Sequence, residues 1–478
     1  MGGEMNTRRR TKSSSAVPAS TAKRLVDLGA CIDFLGRTGN LVRVRSEVDS
    51  RHELAGIAQR FEGGKCVLFE RVKGSAHPVL TGLLWNRDIV GALFGVARER
   101  VPFVIGAAIA PWQKDKTALP ARVLRNAPAN EVVEKKVDLS KLPIPVHALK
   151  DGGRYLDSSL VLARNPQTGG LNVSVHRMMV TGRDRLSFLI DPGRHLGEYV
   201  EFAERRGEPL PVTINNGMGL APWIVSTLPR LGDGKPAIAH HMIGRAVDLV
   251  QAQTGEVPAY ADAQIVIEAE ILPGAREYEA PFGEVTGYYG GRDRRWVMKV
   301  NAITRREKPV FHTILSGKEV WNAVGLTAEA AIFHAVRATI PEIRAVFLPP
   351  GGCGFYEAVV QADNTRAGIA RDVIRETFRA FRSLQRVIVV DTDVDIFDAV
   401  DVDWAITTRF NPDTDLVIMP GEEGHILNPM VAMNPDGKGG RVTKVGMDAM
   451  VPYDQRGERF ERVRFKEVDL RKYDIKYD

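Results

Sequence analysis

The stretch Ala263-Gln-Ile-Val-Ile-Glu-Ala-Glu-Ile271 puts Ala263, Ile265, Ile267, Ala269 and Ile271 on one face of an extended chain. Gln264, Val266, Glu268 and Glu270 fall on the other. A period of two marks a half-buried antiparallel strand, because a helix would scatter these side chains around its circumference. Working outward, residues 296–303 and 309–314 read as further strands, and residues 170–180 as another. Short strands joined by glycine turns predict a β-barrel or sandwich over residues 121–318.

Both flanks change character. Upstream, residues 25–36, 53–61 and 87–97 read as helices, the second with Leu54, Ile57 and Phe61 at helical spacing. Residues 65–69 and 79–84 are strand-like, so residues 25–120 are expected to form an α/β N-terminal domain. Downstream, Thr327 is placed to N-cap a helix that runs to Thr339 and stops before Pro341. Residues 364–382 form an amphipathic helical pattern with Ile369, Val373, Phe378 and Phe381 toward the core. Residues 387–390 are an apolar strand that leads into Asp391, Asp393 and Asp395. Residues 319–478 are therefore expected to be a second α/β domain.

A chain of 478 residues is too long for one ordinary domain, and 44% hydrophobic residues suffice for a sizeable core. No apolar run reaches the roughly 18 residues that a membrane span needs, so no membrane role is expected. The net charge of +6 is local: residues 1–24 hold Arg8, Arg9, Arg10, Lys12, Lys23 and Arg24 against Glu4 alone. Such a leader reads as disordered, and a nearly neutral body behind it does not make a nucleic-acid-binding domain. Cys31, Cys66 and Cys353 are odd in number and widely spaced. They suit neither a disulfide framework nor a CxxC metal site, and fit a reducing cytoplasm.

Two segments could carry chemistry. In Glu279-Ala-Pro-Phe-Gly-Glu284, two carboxylates flank a Pro-Phe-Gly turn and can approach one point, which a regular strand would forbid. A shielded carboxyl of this kind can deliver a proton near neutral pH. In Asn172-Val-Ser-Val-His-Arg177, alternation puts Asn172, Ser174 and His176 on one face and Arg177 on the other, unless the strand ends there. A buried arginine needs carboxylate partners, and the glutamate pair is the natural candidate.

Taken in order, Asn172-x-Ser-x-x-Arg177, Pro192-Gly-Arg-His195, Glu279-x-Pro-Phe-Gly-Glu284 and Gly287-Tyr288 resemble the UbiD decarboxylase family over roughly residues 25–470. The resemblance implies an N-terminal α/β domain, a flavin-reductase-like split β-barrel and a C-terminal α/β domain with the dimerisation surface. It implies reversible decarboxylation of an aromatic, heteroaromatic or α,β-unsaturated acid with prenylated FMN. A flavin prenyltransferase would supply that cofactor. Arg177, Glu279 and Glu284 would be the catalytic network, with Glu284 the proton donor. Ser174, Val175, His176 and Arg194 would lie along the flavin, with Lys444 near its phosphate. Asn172 and His195 would ligate a divalent metal, manganese in most of the family, with potassium as a further ion.

Two departures from the family pattern stand out. Ala280 occupies a position that is usually Gly. The third metal ligand is usually a Glu, and its place falls on Lys235, with Asp233 the nearest acid. Either Asp233 serves as that ligand, or Lys235 pairs directly with phosphate as a point charge. The alternatives to a decarboxylase are a flavin-binding assembly subunit and a flavin reductase.

Overall fold

The computed structural model describes residues 17–116, 121–190, 193–228, 231–435, 439–455 and 457–475. Pro192 and residues 1–16 of the expected leader lie outside the described residues. The rest of that segment is not all leader: Ala19–Val26 is a helix that buries Ala22, Leu25 and Val26. Asp27 then accepts from the backbone N–H of Gly29 and Ala30 and starts a second helix, Leu28–Arg37.

The alternating stretch becomes the long strand Ile265–Glu279. It pairs antiparallel with Asp293–Arg305 on one side and Leu210–Asn216 on the other. Both of its faces are covered. Ile265, Ile267 and Ile271 pack with Phe188, Ile214 and Ile303, while Val266 joins Leu160, Leu162 and Val173. Glu268, expected toward solvent, is buried, and its carboxylate accepts from the backbone N–H groups of Gln253 and Thr254.

The sheet runs in the order Tyr155–Leu156, Met178–Val180, Arg185–Phe188, Asp293–Arg305, Ile265–Glu279, Leu210–Asn216, Leu160–Arg164, Leu171–Val175. Laid flat, Met178–Val180 and Leu171–Val175 would lie about 29 Å apart at the usual strand spacing. Only residues 176–177 connect them, a reach of roughly 10 Å. The sheet must therefore curl until its ends meet, and Arg177 sits at the seam.

Phe311–His312 leaves this sheet. It pairs parallel with Val79–Thr81 in a four-stranded sheet with Leu41–Val48 and Cys66–Val72. The strand expected at 309–314 thus belongs to the N-terminal layer. The helix expected to begin at Thr327 begins nine residues earlier, as Lys318–Arg337. Its buried face carries Glu319, Asn322 and Glu329, polar residues that hide the apolar period. In the C-terminal sheet, Glu357–Ala362, Arg386–Val390 and Gly440–Asp448 are parallel neighbours. The helix Ile369–Ala380 covers it with Ile369, Val373 and Phe378. Among the described residues, no helix is long and apolar enough to cross a membrane.

Candidate active site

Arg177 lies between the strands Leu171–Val175 and Met178–Val180, where the chain swaps pairing partners and regular alternation lapses. Its side chain is free to turn to the end of Ile265–Glu279. There Nε donates to Glu279 Oε1 and Nη2 to Glu279 Oε2, both at 2.9 Å. This fork holds the guanidinium plane fixed. Nη1 meets Glu284 Oε1. Glu279 is fully buried, and the side chains of Arg177 and Glu284 are each 10% exposed. Arg177 and the two glutamates, which lie far from it in sequence, form one buried cluster.

The loop that carries Glu284 is fixed from several sides. Phe282–Gly283 pairs with Tyr289–Gly290, and Glu284 N–H donates to Tyr288 O at 2.8 Å. Asp151 accepts from the N–H groups of Gly283 (2.9 Å) and Ala148 (2.8 Å). Trp321 Nε1 donates to Val285 O at 2.6 Å. A Cβ at Gly290 would lie 2.9 Å from Glu284 Oε1 and 3.4 Å from Arg177 Nη1, so the pair closes over a bare backbone. Gly290→Ala is expected to displace the carboxylate and cut turnover about 10- to 100-fold with little change in melting temperature. Unchanged turnover in that variant would contradict the geometry.

Ala280 takes φ +76°, the left-handed region that favours glycine. Ala280→Gly should relieve that strain and stabilise the fold by about 0.5–1 kcal/mol, read as a higher melting temperature. Tyr155 holds this turn: its hydroxyl accepts from Ala280 N–H (3.0 Å) and donates to Pro281 O (3.3 Å). Its ring packs on Phe282 with centroids 4.4 Å apart. Burial, and then the charge of Glu279, push its hydroxyl pKa up. Sequence reading missed Tyr155 because a lone aromatic at the head of a two-residue strand carries no local signal.

A second group of expected residues lies along Leu171–Val175 and just beyond it. Asn172 is buried and its amide oxygen accepts from Val173 N–H at 2.9 Å. Ser174 Oγ and His176 Nε2 are 2.8 Å apart, and Val175 is half-buried beside them. Among the described residues this strand pairs only with Leu160–Arg164; Leu171 O accepts from Gly234 N–H, and no further strand joins its other edge. Arg194 sits at the N-cap of the helix His195–Arg205, which starts at His195.

Asp233 comes close to His195, yet both its oxygens are taken. Oδ1 accepts from Tyr199 OH at 2.5 Å, and Oδ2 from Thr168 OH (2.5 Å) and Asn165 (3.0 Å). These donors hold its pKa below the usual carboxylate range against the opposing pull of burial. Lys235 is buried, and its ammonium donates to Ser226 O (3.0 Å) and Leu228 O (3.2 Å). Burial, and then Arg194, pull its pKa down to about 7.

An open strand edge beside Arg177, with cationic side chains at its far end, fits a flat anionic cofactor such as a flavin mononucleotide. The same residues do not fit a divalent metal. Asp233, the acid among the expected ligands, already accepts from Tyr199, Thr168 and Asn165, and Lys235 puts a cation where an acidic ligand was expected.

Another expectation needs correcting. Lys444 is not at the site: it is buried in the strand Gly440–Asp448, donates to Arg382 O at 2.7 Å and lies over the Phe378 ring. His312 and Asn322 are committed to the core. His312 Nδ1 bonds Ser158, and Asn322 bridges Leu84 O and Arg87.

Residues 32–109, 122–319 and 322–449 match the N-terminal, Rift-related and C-terminal domains of 3-octaprenyl-4-hydroxybenzoate carboxy-lyase, UbiD. The chain is 34% identical to the anhydromevalonate phosphate decarboxylase of Methanosarcina mazei, over 90% of this chain and 98% of that protein. It is 32% identical to the gallate decarboxylase of Lactiplantibacillus plantarum, over 89% and 94%. The UbiD-class enzyme HmfF of Pelotomaculum thermopropionicum, solved with FMN, superposes with a TM-score of 0.87. It shares 37% identity and covers 94% of this chain and 100% of its own. An evolved dimeric form of HmfF was solved with prFMN (TM-score 0.83, 36% identity, 92% and 97% covered). The chain belongs to the UbiD family and is a carboxy-lyase of that class.

Proposed function

We propose that the chain removes CO2 from an aromatic, heteroaromatic or α,β-unsaturated carboxylic acid with prenylated FMN, and that Glu284 supplies the proton. The observation that carries this reading is the buried Glu279–Arg177–Glu284 cluster next to an open strand edge.

Losing CO2 from an sp² carbon leaves an electron pair that no side chain can absorb, and prenylated FMN supplies the sink for it. The chain's own residues do the rest. Glu279 fixes the orientation of Arg177 and offsets its charge, so the guanidinium can be buried without an uncompensated cation. Arg177 positions the substrate carboxylate and holds Glu284 in place. The bond from the carboxylate to the substrate carbon breaks, CO2 leaves, and Glu284 delivers a proton to the carbon that lost it. Solvent then reprotonates Glu284. Because the three groups touch, their protonation belongs to the cluster.

The test is to express the chain with a flavin prenyltransferase, identify the bound flavin by mass, and screen carboxylic acids for gas release. CO2 and a product 44 mass units lighter, within about one unit, are expected from at least one such acid. Protein loaded with the prenylated flavin that releases CO2 from none of them, but reduces added FMN with a nicotinamide, would overturn the proposal in favour of a flavin reductase. Loaded protein with neither activity would favour an assembly subunit.

A further inference from the structure

Lys235 is 5% exposed, a degree of burial at which an ammonium without a counter-charge costs several kcal/mol. It donates to the carbonyls of Ser226 and Leu228 and forms no ion pair with a carboxylate among the described residues. Among the described residues its three N–H donors meet only these two carbonyl acceptors. The charged group that acts on it is another cation, Arg194. Asp233, two positions away in sequence, faces His195, Tyr199, Thr168 and Asn165 instead.

The placement of this cation is built in. Gly234, in the left-handed region at φ +81°, donates its N–H to Leu171 O at 2.8 Å and accepts from Trp112 Nε1 at 3.0 Å. A Cβ on Gly170 would lie 2.6 Å from the Asp233 Cβ, so the loop before Lys235 packs tightly on the strand that bears Asn172. Arg194, whose positive charge acts on Lys235, is the N-cap of His195–Arg205, a helix with no side-chain cap. A buried lysine, an arginine and an uncapped helix N-terminus together form a receptor for a dianion.

We propose that Lys235, in place of a divalent metal ion, neutralises the phosphate of the flavin mononucleotide in this chain. The inference rests on the flavin reading above. Asp233 then serves as a structural acceptor that ties Tyr199 to the 165–168 turn, and Asn172 and His195 contact the cofactor without an intervening ion.

The test compares FMN with riboflavin, which lacks only the phosphate, by flavin fluorescence on the full chain stripped of cofactor. The wild-type chain in EDTA should bind FMN at least about 10-fold more tightly than riboflavin, and added Mn2+ should change neither affinity more than about twofold. Lys235→Met should lower FMN affinity about 10-fold or more and leave riboflavin binding unchanged, which also shows that the variant folds. Lys235→Glu should bind FMN tightly only when Mn2+ is present. The proposal is overturned if Mn2+ is needed for tight FMN binding by the wild-type chain, or if Lys235→Met keeps the full preference for FMN. A wild-type chain that binds neither flavin would instead refute the flavin reading itself.

Discussion

Glu284→Gln is expected to cut CO2 release at least about 100-fold while the protein stays folded and keeps its flavin. The side chain is isosteric and still reaches Arg177, so the cluster keeps its shape. An amide, however, has no proton to give at neutral pH. Only 10% of the Glu284 side chain is exposed, so bulk water has poor access to stand in for it. Turnover by a stopped headspace assay and flavin content by absorbance, on the same preparation, measure both halves. Normal turnover with full flavin occupancy would remove Glu284 from the proton-donor role.

Arg87→Met is expected to produce the largest loss of stability, about 3–5 kcal/mol. Arg87 forks onto Glu329 at 2.8 and 3.0 Å and donates to Asn322 at 2.9 Å, while its guanidinium lies over the Phe347 ring. Glu329, fully buried, also accepts from Leu348 N–H at 2.8 Å. One ion pair thus joins the helix Arg87–Phe94, the helix Lys318–Arg337 and the C-terminal sheet. Burial already raises the Glu329 pKa, with Arg87 the main opposing influence. Without Arg87 the folded pKa rises further above its unfolded value, so stability is lost as pH rises through that window. The variant's melting temperature should therefore fall further below wild type near pH 8 than near pH 5. A deficit that grows toward low pH would contradict this, and a second change, Glu329→Leu, should recover much of the loss.

How much of this was legible in the sequence depended on whether the signal was local. The alternation at 263–271 gave away its strand because side-chain period is a property of the strand itself. The Glu279 and Glu284 motif and Arg177 could be paired on paper, since burying an arginine demands carboxylates. The helix Lys318–Arg337 was misjudged because Glu319, Asn322 and Glu329 face inward. Glu319 accepts from Thr81 at 3.0 Å, a residue 238 positions away that no local pattern reveals. Phe311–His312 read correctly as a strand, but its partner Val79–Thr81 lies in another sheet, and pairing partners are not written in periodicity. Lys444 was placed near the phosphate by resemblance alone, and that its ammonium is used by the Arg382 carbonyl is not written in the residues around it. Asp233 and Lys235 stand as alternatives in the sequence, and only the hydrogen bonds around them tell the two apart.

A structure of the full chain loaded with prenylated flavin would bear most directly on the whole account. Its ring should lie against the open edge of Leu171–Val175, with Arg177 and Glu284 in contact with the space above it and Glu279 behind. A ring bound elsewhere, with the three side chains turned from it into solvent or packed in a cofactor-free core, would contradict the account.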